Sequence, residues 1–351
     1  MSQLPDNLTP VRAAHVFDVA RLTDYMTANV EDFRGPLSVL QFEGGQSNPT
    51  FHLADGNGRQ YVLRKKPPGK LLPSAHQVDR EYRVIKALSD HTDVPVPKPY
   101  ALCQDDGVIG TAFYVMDFLD GRIFRNPQLP ECSAPERAAI YDAMNDTLAR
   151  LHRVDFAAIG LGDFGKPGNY FERQIARWIA QYEAARTDVI PDMDRLIAWM
   201  PKNIPTESSV AIAHGDYRLE NMIVHPTEPR VIAVLDWELA TIGHPLADLA
   251  YNCMGYHVMN PSQGGLTDVD FSASGIPREA DYVAAYCSRT GRTRIDHWNF
   301  YLSFSIFRLA SIAQGVYKRG LDGNASSPDA AKRGNICGFL AAHAVRLAGI
   351  A

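Results

Sequence analysis

The chain has 351 residues, 46% of them apolar and 21% charged, with a formal net charge of −5. That length accommodates two ordinary domains. The scattered Lys and Arg argue against nucleic acid as the main partner, because a phosphate backbone needs concentrated positive charge. No apolar run reaches the roughly 18 residues that span a bilayer. The N-terminal MSQLPDNLTPVRAAHVFDV lacks the basic segment and apolar run of a secretory signal. Cys103, Cys132, Cys253, Cys287 and Cys337 are odd in number and widely spaced, as expected of reduced thiols rather than a disulfide framework or a zinc site. These features together predict a soluble, cytoplasmic protein with no membrane segment.

In chain order, residues 14–29 carry Val16, Val19, Leu22 and Met26 at helical spacing. SVLQF (38–42), TFHLA (50–54) and YVLRK (61–65) have strand composition, and DGNG (55–58) is a strong turn signal between the last two. Residues 74–90 place Val78, Tyr82, Ile85 and Leu88 on one helical face, with Ser74 as a candidate N-cap. The Pro-rich VPVPKP (94–99) excludes helix, and ALCQ and TAFYVMDFL read as two more strands. This half is therefore a five-stranded lobe with one long helix after its third strand. Beyond about residue 120 the helical period dominates, at 134–154, 170–185 and 192–200. Two short strands follow around 222–235, and helices return near 245–257, 278–289, 294–318 and 328–349. The expected plan is a β-rich lobe over 1–119, a connection near Asp117–Gly121, and a mainly helical lobe over 120–351.

The stretch AHGDYRLENMIV (213–224) crowds His214, Gly215, Asp216, Arg218, Glu220 and Asn221 against a short apolar strand. Asp236 lies twenty residues beyond Asp216, where the strand VIAVLD ends. The two short strands form a hairpin-like unit whose ends should bring Asn221 and Asp236 together. An amide oxygen and a carboxylate make a hard-oxygen site suited to Mg²⁺, which takes few protein ligands plus phosphates and water. Asp216 is placed to accept or orient the proton of an attacking hydroxyl, as in a kinase loop.

With HGDYRLEN followed by VLDWELATIGHPLADLAY, the sequence resembles the aminoglycoside phosphotransferase and choline-kinase-like family, over about residues 35 to 320. YVLRKKPPGKLLPSAHQVDREYRVIKAL is similar to the branch found alone in bacteria or fused to acyl-CoA dehydrogenases in animals. The resemblance implies an α+β, protein-kinase-like bilobal fold and Mg²⁺-dependent transfer of the γ-phosphoryl group of ATP (or GTP) to a hydroxyl of a small molecule. It puts Asp216 on the catalytic base, Asn221 and Asp236 on the Mg²⁺ ligands, and His214 in a supporting place. Glu81 falls on the glutamate that pairs with the phosphate-binding cation. Ser47 falls in the nucleotide-positioning loop, Val62 on the adenine roof, and Asp117, Phe118 and Leu119 on the backbone that meets adenine. Arg64 stands where many members have lysine. Strand alternation puts Val62 and Arg64 on the cleft face and Lys65 on the other, with Lys65 as the alternative cation. Asp248 is expected to anchor the loop. The alternative reading is a nucleotide-binding or scaffold module with little turnover.

Residues 250–330, expected to supply much of the acceptor wall, hold seven acids and seven bases. That balance offers no attraction for a polycation. Together with the resemblance to the dehydrogenase-fused domains, it points to a hydroxyacyl chain or its CoA thioester as acceptor, and to a functional link with an acyl-CoA dehydrogenase.

Overall fold

The computed structural model describes residues 7–43, 48–67, 77–259, 264–323 and 335–351. The first elements are β1 (Leu8–Thr9), α1 (Val19–Asn29), β2 (Ser38–Phe42), β3 (Thr50–Ala54), β4 (Gln60–Lys65), α2 (Val78–His91), β5 (Pro99–Cys103), α3 (Asp106–Ile109) and β6 (Phe113–Asp117). There follow α4 (Ala134–Arg153), α5 (Tyr170–Ala185), α6 (Pro191–Trp199), β7 (Ala211–Ala213), β8 (Met222–Val224), β9 (Val231–Val234) and β10 (Thr241–Gly243). The chain closes with α7 (Pro245–Cys253), α8 (Glu279–Thr290), α9 (Trp298–Leu321) and α10 (Cys337–Ala348).

These elements form two compact units. The first takes the described residues up to Arg122, together with 159–161 and 222–240. Its sheet runs β1-β2-β3-β4-β6-β5, antiparallel throughout, so the expected five strands gain β1 as a two-residue edge. The β3–β4 hairpin is set by Asp55, whose carboxylate accepts from Asn57 N–H (2.9 Å) and Arg59 N–H (2.8 Å). Gly58 supplies the positive φ (81°) this turn requires. Phe51, Leu53, Tyr61, Leu63, Phe113 and Val115 pack with Leu22, Met26 and Phe33 into one buried cluster.

Helix α1 starts five residues later than its periodicity suggested. The Asp18 side chain accepts from Ala20 and Arg21 N–H at 3.0 and 3.1 Å and so fixes the N-cap. Val16, left outside, is 67% exposed. Ser74, the candidate cap of the next helix, lies outside the described residues, and α2 begins at Val78. Helix α2 buries Val78, Val84, Ile85 and Leu88, and Glu81 among them. The hairpin of β8 and β9, with Met222 opposite Val234, belongs to this same unit.

The second unit holds residues 123–158, 162–221 and 241–351, as far as they are described. Helix α9 is its spine and packs against α10, α5 and α7. Phe300, Phe304, Ile306 and Phe307 are buried along it. Helix α4 lies against α8 and is capped by Ser133, which accepts from Glu136 N–H (3.4 Å). The three-residue strands β7 and β10 pair antiparallel beneath the loop that carries Asp216. Among the described residues no helix is long and apolar enough to cross a membrane.

Candidate active site

In the first unit, strand β4 separates the two candidate cations. Val62 is opposite His52 and Met116 in the ladder, and Arg64 opposite Thr50 and Tyr114. On the other face, Lys65 Nζ donates to His15 O (3.3 Å) and lies over the rings of Phe17 and Phe51 at 5.1 and 5.7 Å. Burial lowers the Lys65 ammonium below its ordinary pKa. Arg64 instead meets two carboxylates, Glu81 Oε2 at 3.1 Å and Asp236 Oδ1 at 3.0 Å. Burial alone would lower the guanidinium, but the charge of Glu81, then Tyr114, Asp236 and Glu238, raises it above the arginine value. Arg64 is therefore a fixed cation at every physiological pH. Glu238 is also near enough to act on it.

Glu81 is the hub of this half. It is 1% exposed, and it also accepts from Asn48 Nδ2 (2.6 Å) and Tyr114 OH (3.0 Å). A buried carboxylate is tolerated only when its oxygens are filled in this way. Asn48 and Tyr114 were not singled out from the sequence; Tyr114 could have been, since β-sheet pairing brings it opposite Arg64. Asp236 follows β9 with φ 64° and ψ 62°. A non-glycine residue in that region is strained and is found at functional sites more often than elsewhere.

Ser47 lies outside the described residues. Asp117 ends β6: its N–H donates to Lys98 O (2.8 Å), and its carboxylate accepts a very short hydrogen bond from Tyr100 OH. Burial, and then that bond, push the Tyr100 phenol up to about 12. Phe118 N–H donates to Gln60 O at 3.4 Å, and the Phe118 ring meets His52 edge-on at 5.0 Å. Leu119 follows in the same segment.

In the second unit the Asp216 loop is tied down from below. Asp248 Oδ2 accepts from His214 N–H (2.6 Å), and Oδ1 from Gly215 N–H (2.8 Å). Burial pushes Asp248 up, but His152, His214 and the Gly215 N–H together hold it below the ordinary carboxylate range. The expected anchoring role of Asp248 is thus met, with His152 as its second partner. Gly215 has φ 85°, which the turn into Asp216 needs. His214 sits fully buried, its Nδ1 accepting from Asp216 N–H at 3.2 Å.

Asn221 Nδ2 donates to Asp216 O (2.9 Å) and to Asp216 Oδ2 (2.8 Å). The D-x-x-x-x-N spacing therefore closes on itself, and the Asn221 amide oxygen is turned the other way. Arg218 lies 3.3 Å from Asp216 Oδ1 and also pairs with Glu220. Beside Asp216 lies Tyr251, whose phenol is raised first by burial and then by the Asp216 charge. Tyr251 also lines a cavity of about 210 Å³ together with Met144, Leu309 and Leu340, and with Arg218 and Glu220 from the loop. Sequence reading missed Arg218 as a partner of Asp216, although two-residue spacing in a tight loop was a usable signal.

A family model described as a phosphotransferase enzyme family matches residues 38–298. The chain belongs to that family. A solved Ralstonia eutropha protein, provisionally named an aminoglycoside phosphotransferase, is 51% identical, with TM-score 0.88 over 95% of this chain and 99% of its own. The mouse protein named acyl-CoA dehydrogenase family member 10 is 46% identical over 95% of this phosphotransferase chain, which spans only 31% of the mouse protein's length. A thermostable mutant of the aminoglycoside phosphotransferase APH(4)-Ia, solved with AMP-PNP and hygromycin B, shares the fold at TM-score 0.60 and 16% identity, over 94% of this chain and 97% of its own. These matches bear out the kinase-like α+β fold and the family resemblance.

Proposed function

We propose that this phosphotransferase moves the γ-phosphoryl group of ATP (or GTP) to a hydroxyl of a hydroxyacyl chain or its CoA thioester. The observation that carries the reading is Arg64, a permanently charged guanidinium held by Glu81 at 3.1 Å and Asp236 at 3.0 Å. A cation fixed by a buried carboxylate is preorganised for the α- and β-phosphates and needs no reorganisation when they arrive. The nucleotide would lie with Val62 over adenine, the Asp117–Leu119 backbone at its edge, and Ser47 near the phosphates. Since the N–H groups of Asp117 and Phe118 are already bonded within the sheet, Leu119 N–H is the donor left in that segment for the base.

The donor set fits Mg²⁺. Asn221 turns its amide nitrogen to Asp216 and leaves its oxygen for a cation. Asp236 gives Oδ1 to Arg64 and keeps Oδ2. Mg²⁺ takes few protein ligands and completes its shell with phosphate oxygens and water. Asn221 and Asp236 would hold it, and it would neutralise charge on the phosphates. Asp216, its Oδ2 fixed by Asn221, orients the acceptor hydroxyl and takes its proton as the oxygen attacks phosphorus.

Two observations support a hydroxyacyl acceptor over a polycation. The cavity beside Asp216 is walled chiefly by apolar side chains, and its charged lining, Arg125, Arg218 and Glu220, holds more bases than acids. The mouse relative carries a dehydrogenase name. Steady-state kinetics with 4-hydroxyacyl acids, their CoA thioesters and kanamycin test the choice. Turnover of the hydroxyacyl class without kanamycin transfer is expected; efficient kanamycin transfer with no hydroxyacyl turnover would reverse it.

A further inference from the structure

One buried cation of the second unit has no task in the reaction as described. Arg308, on α9, is only 9% exposed. Its guanidinium carbon lies 5.0 Å from the ring centre of Tyr251 and 5.4 Å from that of Trp178. Its Nε is buried with no hydrogen-bond partner, and among the described residues Arg308 makes no ion pair. Arg64, by contrast, has two carboxylates. A buried charge without a counter-charge is costly, and aromatic faces offset only part of that cost. The unused donors of Arg308 are also oriented, because two rings hold the plane of the fork.

Tyr251 ties this arginine to the chemistry. The same ring that Arg308 covers lies beside Asp216 and lines the cavity of about 210 Å³. The next residue along α9, Leu309, lines that cavity too. A ligand with its hydroxyl at Asp216 therefore has, one phenol ring away, a cation lacking an acceptor.

We propose that Arg308 determines acceptor specificity by donating hydrogen bonds to the C1 oxygen of the hydroxyacyl group, whether the carboxylate of the free acid or the carbonyl of its thioester. The assignment rests on the phosphotransferase reading of the Asp216 loop. A carboxylate would take both arms of the fork, and a thioester carbonyl one.

Kinetics on the full chain with three acceptors test it: 4-hydroxyhexanoate, its CoA thioester, and 3-hexanol, which keeps the chain and hydroxyl but lacks the C1 oxygen. The alcohol serves as substrate or as competitive inhibitor. Arg308→Gln should raise KM for the acid, the thioester or both by about tenfold or more relative to the alcohol, the scale of a lost hydrogen bond to a charged group. Arg308→Lys should recover part of the loss. A larger effect on the acid identifies the carboxylate, and a larger effect on the thioester identifies the carbonyl. An equal change for all three acceptors, or none, overturns the proposal and leaves Arg308 a structural residue. Absence of any wild-type transfer to these acceptors would overturn the hydroxyacyl reading itself. Should the Gln variant fail to fold, the same ratios measured on the Lys variant decide.

Discussion

Replacing Arg64 and Lys65 separately by alanine should give opposite outcomes. Arg64→Ala deletes the pair with Glu81 at 3.1 Å and the pair with Asp236 at 3.0 Å. The Asp236 side chain is 34% exposed, so that arm is worth at most about 1 kcal/mol. Glu81 is 1% exposed, and breaking a buried pair costs roughly 3–5 kcal/mol. Asn48 and Tyr114 still donate to Glu81 in the variant, which puts the loss at the lower end, about 3 kcal/mol. Lys65→Ala loses one bond to His15 O and two ring contacts, and relieves the burial of an ammonium, so about 1 kcal/mol is expected. Urea denaturation measures both. On the purified variants, KM for Mg·ATP should rise at least about tenfold for Arg64→Ala and stay within about twofold for Lys65→Ala. A Lys65→Ala variant with the larger rise in nucleotide KM would refute the assignment of Arg64 as the phosphate cation.

Asp216→Asn should cut kcat by at least about a hundredfold, the scale of general-base and positioning effects, while calorimetry shows nucleotide binding retained. Asp236→Ala should abolish the Mg²⁺ dependence of nucleotide affinity, and an unchanged Mg·ATP affinity would count against its metal role. His244 gives a pH prediction. Burial holds its imidazole at about 4 against an ordinary 6.5, so between those values the unfolded chain binds a proton that the folded chain does not. Stability should therefore fall as pH drops from 6.5 to 4, by up to about 3 kcal/mol. His244→Gln should flatten that slope in denaturation series; an identical slope would remove His244 as its origin.

Much of the fold was legible because long elements declare their period. Helices α4 and α5 and strands β2 and β3 lie where composition put them. The departures have local causes. Asp18 caps α1 and moves its start. Strands β1, β7 and β10 have two or three residues each, too few for any alternation to show, and exist because neighbours pair with them. At the site, residues fixed by local spacing were readable: Asp216 and Asn221 meet within one loop, and alternation alone separated Arg64 from Lys65. Residues joined only by the tertiary fold were not. Nothing in the sequence near Glu81 marks Asn48 as its partner, 33 positions away. Likewise, Arg308, Trp178 and Tyr251 come together from three helical segments or their flanks.

The central claim is that a hydroxyl guided by Asp216 attacks the γ-phosphorus of a Mg²⁺-bound nucleotide. Phosphorus NMR of the wild-type reaction with ATP, Mg²⁺ and a 4-hydroxyacyl acceptor tests it most directly. The expected result is a new phosphoester signal growing in step with ADP, lost on Mg²⁺ chelation and in Asp216→Asn. ADP and inorganic phosphate appearing without a phosphoester, or a phosphoester formed equally well by Asp216→Asn, would contradict it.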